Sequence, residues 1–158
     1  MLLFIIVILN SLVYGQDAQT EFKRSAFYKV MANGTEAGIN QQLVVLKLSS
    51  IAEKDALEGA LLMKKAGLVN GPKKKLNLFK DGHKKLEALF KKDSLNVEFR
   101  FLRLMIQEHA PGIVGYKKDL ENDGGYIRKN FKKLSPVVQQ AVIDYSKKSK
   151  VLKSVNFN

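Results

Sequence analysis

The chain has 158 residues, 27 Lys+Arg against 15 Asp+Glu, and a formal net charge of +12. That length suits one ordinary domain, and 46% apolar residues can give it a core, which excludes a disordered tail and a membrane bundle. With no cysteine there are no disulfides, thiolate metal sites or cysteine nucleophiles, and two histidines leave little material for metal or acid-base chemistry.

Leu2 to Leu9 (LLFIIVIL) is uninterruptedly apolar, and polar sequence begins at Gln16. An apolar stretch of about 12 residues falls short of the roughly 20 that span a bilayer as a helix. Val13 and Gly15 have the small side chains that a signal peptidase reads. The sequence therefore predicts a signal peptide over 1–15, a mature α-helical domain over 16–150 and a flexible tail over 151–158. The product would be exported, periplasmic or secreted. Because the leading segment carries no Lys or Arg, a buried amino-terminal helix is the alternative.

From Gln16 onward the apolar spacing is helical and no segment alternates as a strand does, so the predicted fold is all-α, six or seven helices in stacked antiparallel hairpins. The first helix starts near Thr20, presents Phe22, Ala26, Phe27, Val30 and Met31, and stops at Asn33-Gly34. Thr35 caps a second, with Ile39, Leu43, Val44 and Leu46 on its apolar side, ending near Ser49-Ser50. A third spans Ala52 to Lys65, where Ala56, Gly59 and Ala60 allow a close neighbour, and Gly67 to Pro72 is a turn. Pro72 opens a fourth that runs to Lys92 through Leu76, Phe79, His83, Leu86 and Phe90. Asn96 caps a fifth, Val97 to Ala110, stopped by Pro111-Gly112. After a loop holding Tyr116 come an acidic turn over Asp119 to Asp123, a helix from Gly125 to Leu134, and a last one opened by Ser135-Pro136.

The charge is concentrated. Residues 64–92 hold ten Lys and two acids, and residues 117–153 hold ten Lys+Arg and four acids. Such blocks read either as solvated helix faces or as a surface for an acidic protein, an envelope polyanion or an anionic membrane contacted peripherally. An exported protein is not expected to meet nucleic acid.

The fifth helix is apolar around most of its circumference, yet Arg100, Arg103 and Gln107 fall at i, i+3 and i+7, one polar line on a helix expected to be central. A guanidinium carried inside must find carboxylates or carbonyls, and Asp123, Glu58, Glu87 and Glu98 are the candidate partners. The line is either a set of ion pairs locking helices together or the lining of a groove that receives an anionic group, for which Arg offers a planar fork.

The run EFRFLRLMIQEHAPGIVGY followed by DLENDGGYI resembles a pattern of small exported helical proteins of Bacteroidota-type bacteria. Its recurring positions correspond to Arg100 to Arg103, Gln107, Pro111, Gly115-Tyr116 and Asp123. The resemblance implies fold and export and carries no activity. GHKKLEALFKKDSLN (Gly82 to Asn96) is loosely similar to a tetratricopeptide hairpin, although Ser94 stands where proline is usual and no second copy follows at a fixed period.

Other chemistry finds little support. Asp119, Glu121 and Asp123 before Gly124 match the first half of a calcium loop, but its twelfth position is Asn130, where a bidentate carboxylate is required. His83 and Glu87 lie one helical turn apart without an evident third ligand, and His109 is suited to the carbonyl end of its helix. No cofactor or metal is expected, and no nucleophile elbow or phosphate-cradling loop is present. The expected function is a non-catalytic binding or interaction module for an acidic partner, with a small envelope hydrolase of anionic or glycan substrates as the alternative. Candidate ligand-binding or ion-pairing residues are Arg100, Arg103, Gln107, Asp123 and Tyr116. Arginines fully paired and covered favour the module; arginines in a groove beside two unpaired carboxylates favour the hydrolase.

Overall fold

A computed structural model describes residues 21–153 and Phe157, and the expected signal peptide lies outside them. Among the described residues the chain forms seven α-helices and no strand: α1 (Arg24–Asn33), α2 (Glu36–Leu48), α3 (Lys54–Ala66), α4 (Pro72–Lys92), α5 (Val97–Gln107), α6 (Leu120–Asn130) and α7 (Pro136–Ser146). Short 3-10 turns occupy Gly112–Val114 and Phe131–Lys133. None of these helices is long and apolar enough to cross a membrane.

Local chemistry sets several helix starts. The Thr35 hydroxyl accepts the Gly38 amide at 3.2 Å, and the Asn96 side-chain Oδ1 accepts the Phe99 amide at 3.1 Å. Gly71, at φ +90°, turns the chain into Pro72, which occupies the first turn of α4 and needs no amide partner there. Ser135 holds the position before Pro136, but its hydroxyl makes no capping bond.

The closest helix pair is α3 with α4. Gly59 and Gly82 face each other across it: a Cβ on Gly82 would stand 2.5 Å from the Gly59 carbonyl oxygen. Further from the turn, Lys85 reaches back to Asp55 and Glu58, so the two helices form an antiparallel hairpin. α5 packs against α3, α4 and α6 and buries nine of its eleven residues, with Phe101, Leu102 and Leu104 fully covered. α1 packs against α7, so the two ends of the bundle meet.

Two boundaries differ from expectation. The acidic run is helical: α6 begins at Leu120, which removes the predicted turn and any calcium-loop geometry. Gly124, read as preceding a helix, lies inside one, and Val151 packs where its side chain would stand. The domain also continues past residue 150. Leu152 is fully buried, its amide donates to the Ser149 hydroxyl at 2.8 Å, and Arg128 Nη1 donates to the Val151 carbonyl at 2.8 Å. The Phe157 ring lies 4.6 Å from that of Phe131. The start of the predicted flexible tail is thus part of the core, held by packing that the polar sequence around it conceals.

Candidate functional site

Two features are candidates, and they occupy different places. The first is the polar line of α5. Its 3.6-residue spacing points Arg100 and Arg103 toward α4 and α6, between two rings and three carboxylates. Arg100 Nη1 donates to Asp123 Oδ1 at 2.8 Å, and its Nε donates to the Ser94 carbonyl at 2.9 Å. Arg103 Nη2 donates to Asp119 Oδ2 at 2.9 Å, while its Nε lies 3.2 Å from Glu87 Oε1 and 3.3 Å from Asp123 Oδ2. Both guanidiniums also meet aromatic faces: Arg103 over Phe90 at 3.9 Å, Arg100 over Tyr126 at 4.2 Å. Tyr116 joins through its hydroxyl, which donates to Glu87 Oε1 at 2.6 Å.

Burial makes this arrangement demanding. The Arg103 side chain is 4% exposed and that of Asp123 is fully covered. Burial pushes the Asp123 carboxyl above the usual carboxylate range, outweighing the two arginines that pull it down. Burial, together with the Glu87 charge, also raises the Tyr116 phenol, which stays a neutral donor. Two arginines face three carboxylates, one of which has a raised pKa, so the cluster carries no excess positive charge. Each arginine is already paired with carboxylates of the chain, which leaves little electrostatic basis for the expectation that the cluster receives an anionic group. Gln107, one turn further on, is fully buried, and neither amide atom has a hydrogen-bond partner among the described residues.

Of the four partners considered from sequence, Asp123 and Glu87 are engaged here. Glu98 instead accepts from Arg24 Nε at 3.0 Å and from the Tyr28 hydroxyl at 2.9 Å, and Glu58 pairs with Lys85. Asp119, assigned to a turn, is the partner that sequence reasoning missed. The two histidines are likewise engaged within the fold. His83 sits edge-to-face on Tyr116 at 4.7 Å, and His109 Nδ1 donates to the Met105 carbonyl at 3.0 Å near the end of α5.

The second feature is an apolar groove of about 630 Å³ between α1, α3, α4, the end of α5 with the turn that follows it, and the end of α7. Met31, Met63 and Met105 form its floor together with Ile106 and Ala110, each nearly covered. These three are every methionine of the chain except Met1. Leu68, Leu76 and Ile113 form its lip, and all three are large apolar side chains facing solvent, Ile113 at 96% exposure. Lys64, Lys75 and Lys148 supply its charge, and among the described residues none of them ion-pairs with a carboxylate. Burial, and then the neighbouring Lys148 ammonium, lower the Lys64 pKa. None of the residues singled out on the polar line borders this groove. Past Ala32, Met105, Tyr145 and Lys148 it adjoins a second hollow of about 680 Å³.

Fold and site together define an all-α bundle with an internal ion-pair lock and a cationic, apolar-floored groove. Comparison with protein-family models, curated proteins and solved structures finds no match for the chain.

Proposed function

We propose that the protein is a non-catalytic α-helical binding module that meets an acidic partner in the methionine-floored groove, with the arginine cluster acting as a structural lock. One observation carries this reading: three lysines without carboxylate partners among the described residues line an apolar groove whose lip, Leu68, Leu76 and Ile113, is exposed to solvent. An exposed apolar lip is unfavourable in water unless something covers it, and unpaired ammoniums select what does. The polar side chains lining the groove are lysines, His109 and Tyr145, and the Tyr145 hydroxyl is engaged with Glu108 at 2.6 Å. That set supports binding over hydrolysis. The leader expected over residues 1–15 supports action outside the cytoplasm, as does the resemblance of residues 98–127 to exported helical proteins.

The test uses anilinonaphthalene sulfonate, an anion with an apolar body, whose fluorescence rises on leaving water. The native chain should bind it saturably. Lys64→Glu/Lys148→Glu should weaken binding about tenfold or more, while Lys132→Glu/Lys133→Glu, the same charge change at exposed lysines away from the groove, should leave it within about twofold. Equal loss in both variants would overturn the assignment.

A further inference from the structure

Resting on that reading of the groove, we propose that its ligand is a single-chain anionic amphiphile of the fatty-acid type. The alkyl chain lies along Met31, Met63 and Met105, and the carboxylate is held between Lys64 and Lys148.

Volume, lining chemistry and charge placement support the assignment. The groove falls within the roughly 300–1,000 Å³ of small-molecule sites. A docked protein needs about 800 Å² of surface on each side, and a helix is about 10 Å across. Here Met31, Met63, Met105 and Ala110 line the groove yet are each no more than 6% exposed, so each offers a ligand only a narrow apolar strip. Such a strip suits a slender chain. The floor presents thioether, methyl and methylene groups, which an extended peptide, with a donor and an acceptor on each residue, cannot satisfy and a run of methylenes need not. Methionine also suits an alkyl chain of variable shape, because its unbranched, polarisable side chain repacks at low cost.

The charged end has its own receptor. Lys64 and Lys148 are near enough to repel each other, and a carboxylate between them converts that repulsion into two attractions. Lys148 already points its ammonium toward the Ala32 carbonyl at 3.4 Å, and both residues line the groove. Leu68, Leu76 and Ile113 would then close over the methylenes.

The experiment titrates the full-length chain with palmitate below its micelle concentration, reading displacement of anilinonaphthalene sulfonate and, by native mass spectrometry, stoichiometry. Palmitate should bind one to one. Hexadecanol, lacking the charge, should bind at least about tenfold more weakly, and hexanoate, lacking most of the chain, at least about 100-fold more weakly. Lys64→Glu/Lys148→Glu should lose at least about tenfold for palmitate while Lys132→Glu/Lys133→Glu does not. Ala32→Leu, which narrows the groove without altering charge, should also weaken binding if circular dichroism shows it folded. Failure of palmitate to displace a dye whose binding still depends on Lys64 and Lys148 would overturn the fatty-acid assignment and leave the groove standing. Failure of the dye itself would remove both. Displacement by an acidic amphipathic peptide but not by palmitate would assign the groove to a protein partner, and association with anionic vesicles without uptake of free palmitate would assign it to a membrane surface.

Discussion

Arg103→Met removes one charge from the middle of the bundle while nearly keeping the side chain's length, and its cost follows from what is left behind. Glu87, Asp119 and Asp123 lose the group that binds all three, and Arg100 alone faces them, already committed to Asp123 and the Ser94 carbonyl. Because Asp123 is fully covered, water cannot replace the lost partner. Removing one member of a buried pair costs about 3–5 kcal/mol. With a urea m-value of about 2 kcal/mol/M, that lowers the unfolding midpoint by about 2 M. Asp123→Asn in the same background should restore about 1–2 kcal/mol, since it relieves the uncompensated charge. The pH dependence has a definite sign. Burial already raises the folded-state pKa of Asp123, and loss of Arg103 raises it further. A raised carboxyl favours the folded state below its unfolded value of about 3.9, and that advantage disappears as pH climbs through the folded value. The deficit of Arg103→Met should therefore be smallest near pH 4 and grow toward pH 7. A loss under about 1 kcal/mol that does not change with pH would refute the reasoning, because solvated surface pairs behave that way.

Gly82→Ala should lower the melting temperature despite alanine's higher helix propensity: about 1 kcal/mol of propensity opposes an overpacking cost of about 2–3 kcal/mol where the new methyl meets Gly59 and Met63. An unchanged or higher melting temperature would show that the α3–α4 contact yields easily. At Glu108, burial pushes the carboxyl up, but hydrogen bonds from Tyr145, Ser149 and the Lys150 and Val151 amides prevail and hold it below its usual range. That stabilisation is present above the unfolded value of about 4.3 and is lost as pH falls through the folded one. Native and Glu108→Gln proteins should accordingly differ in urea stability at pH 7 and converge toward pH 3. Leu152→Ala should cost about 2–5 kcal/mol in equilibrium unfolding, as for a fully covered leucine; a loss below about 0.5 kcal/mol would return that segment to the status of a tail.

What the sequence revealed was set by chemistry close in the chain. Thr35, Asn96, Gly71-Pro72 and Pro111 mark helix ends because each acts within four residues of itself. The burial of Arg103 was legible from the apolar residues around it on one helix. Asp119 was not, because its role depends on α6 beginning early enough to face α5. Gly124-Gly125 misled for the same reason: glycine reads as a break, whereas Gly124 lies inside a helix against Val151, which comes from far along the chain. The groove had no sequence signature. Met31, Met63, Lys75, Met105 and Lys148 come from separate segments and meet only when the bundle closes.

The contact between α1 and α7, and the burial of Leu152 beyond them, have a consequence for biosynthesis. The first helix cannot find its final neighbour, nor the interior its last plug, until the carboxy-terminal segment has emerged from the ribosome. The α3–α4 hairpin can form early because its partners are neighbours in the chain, whereas the α1–α7 contact and the burial of Leu152 come last in synthesis.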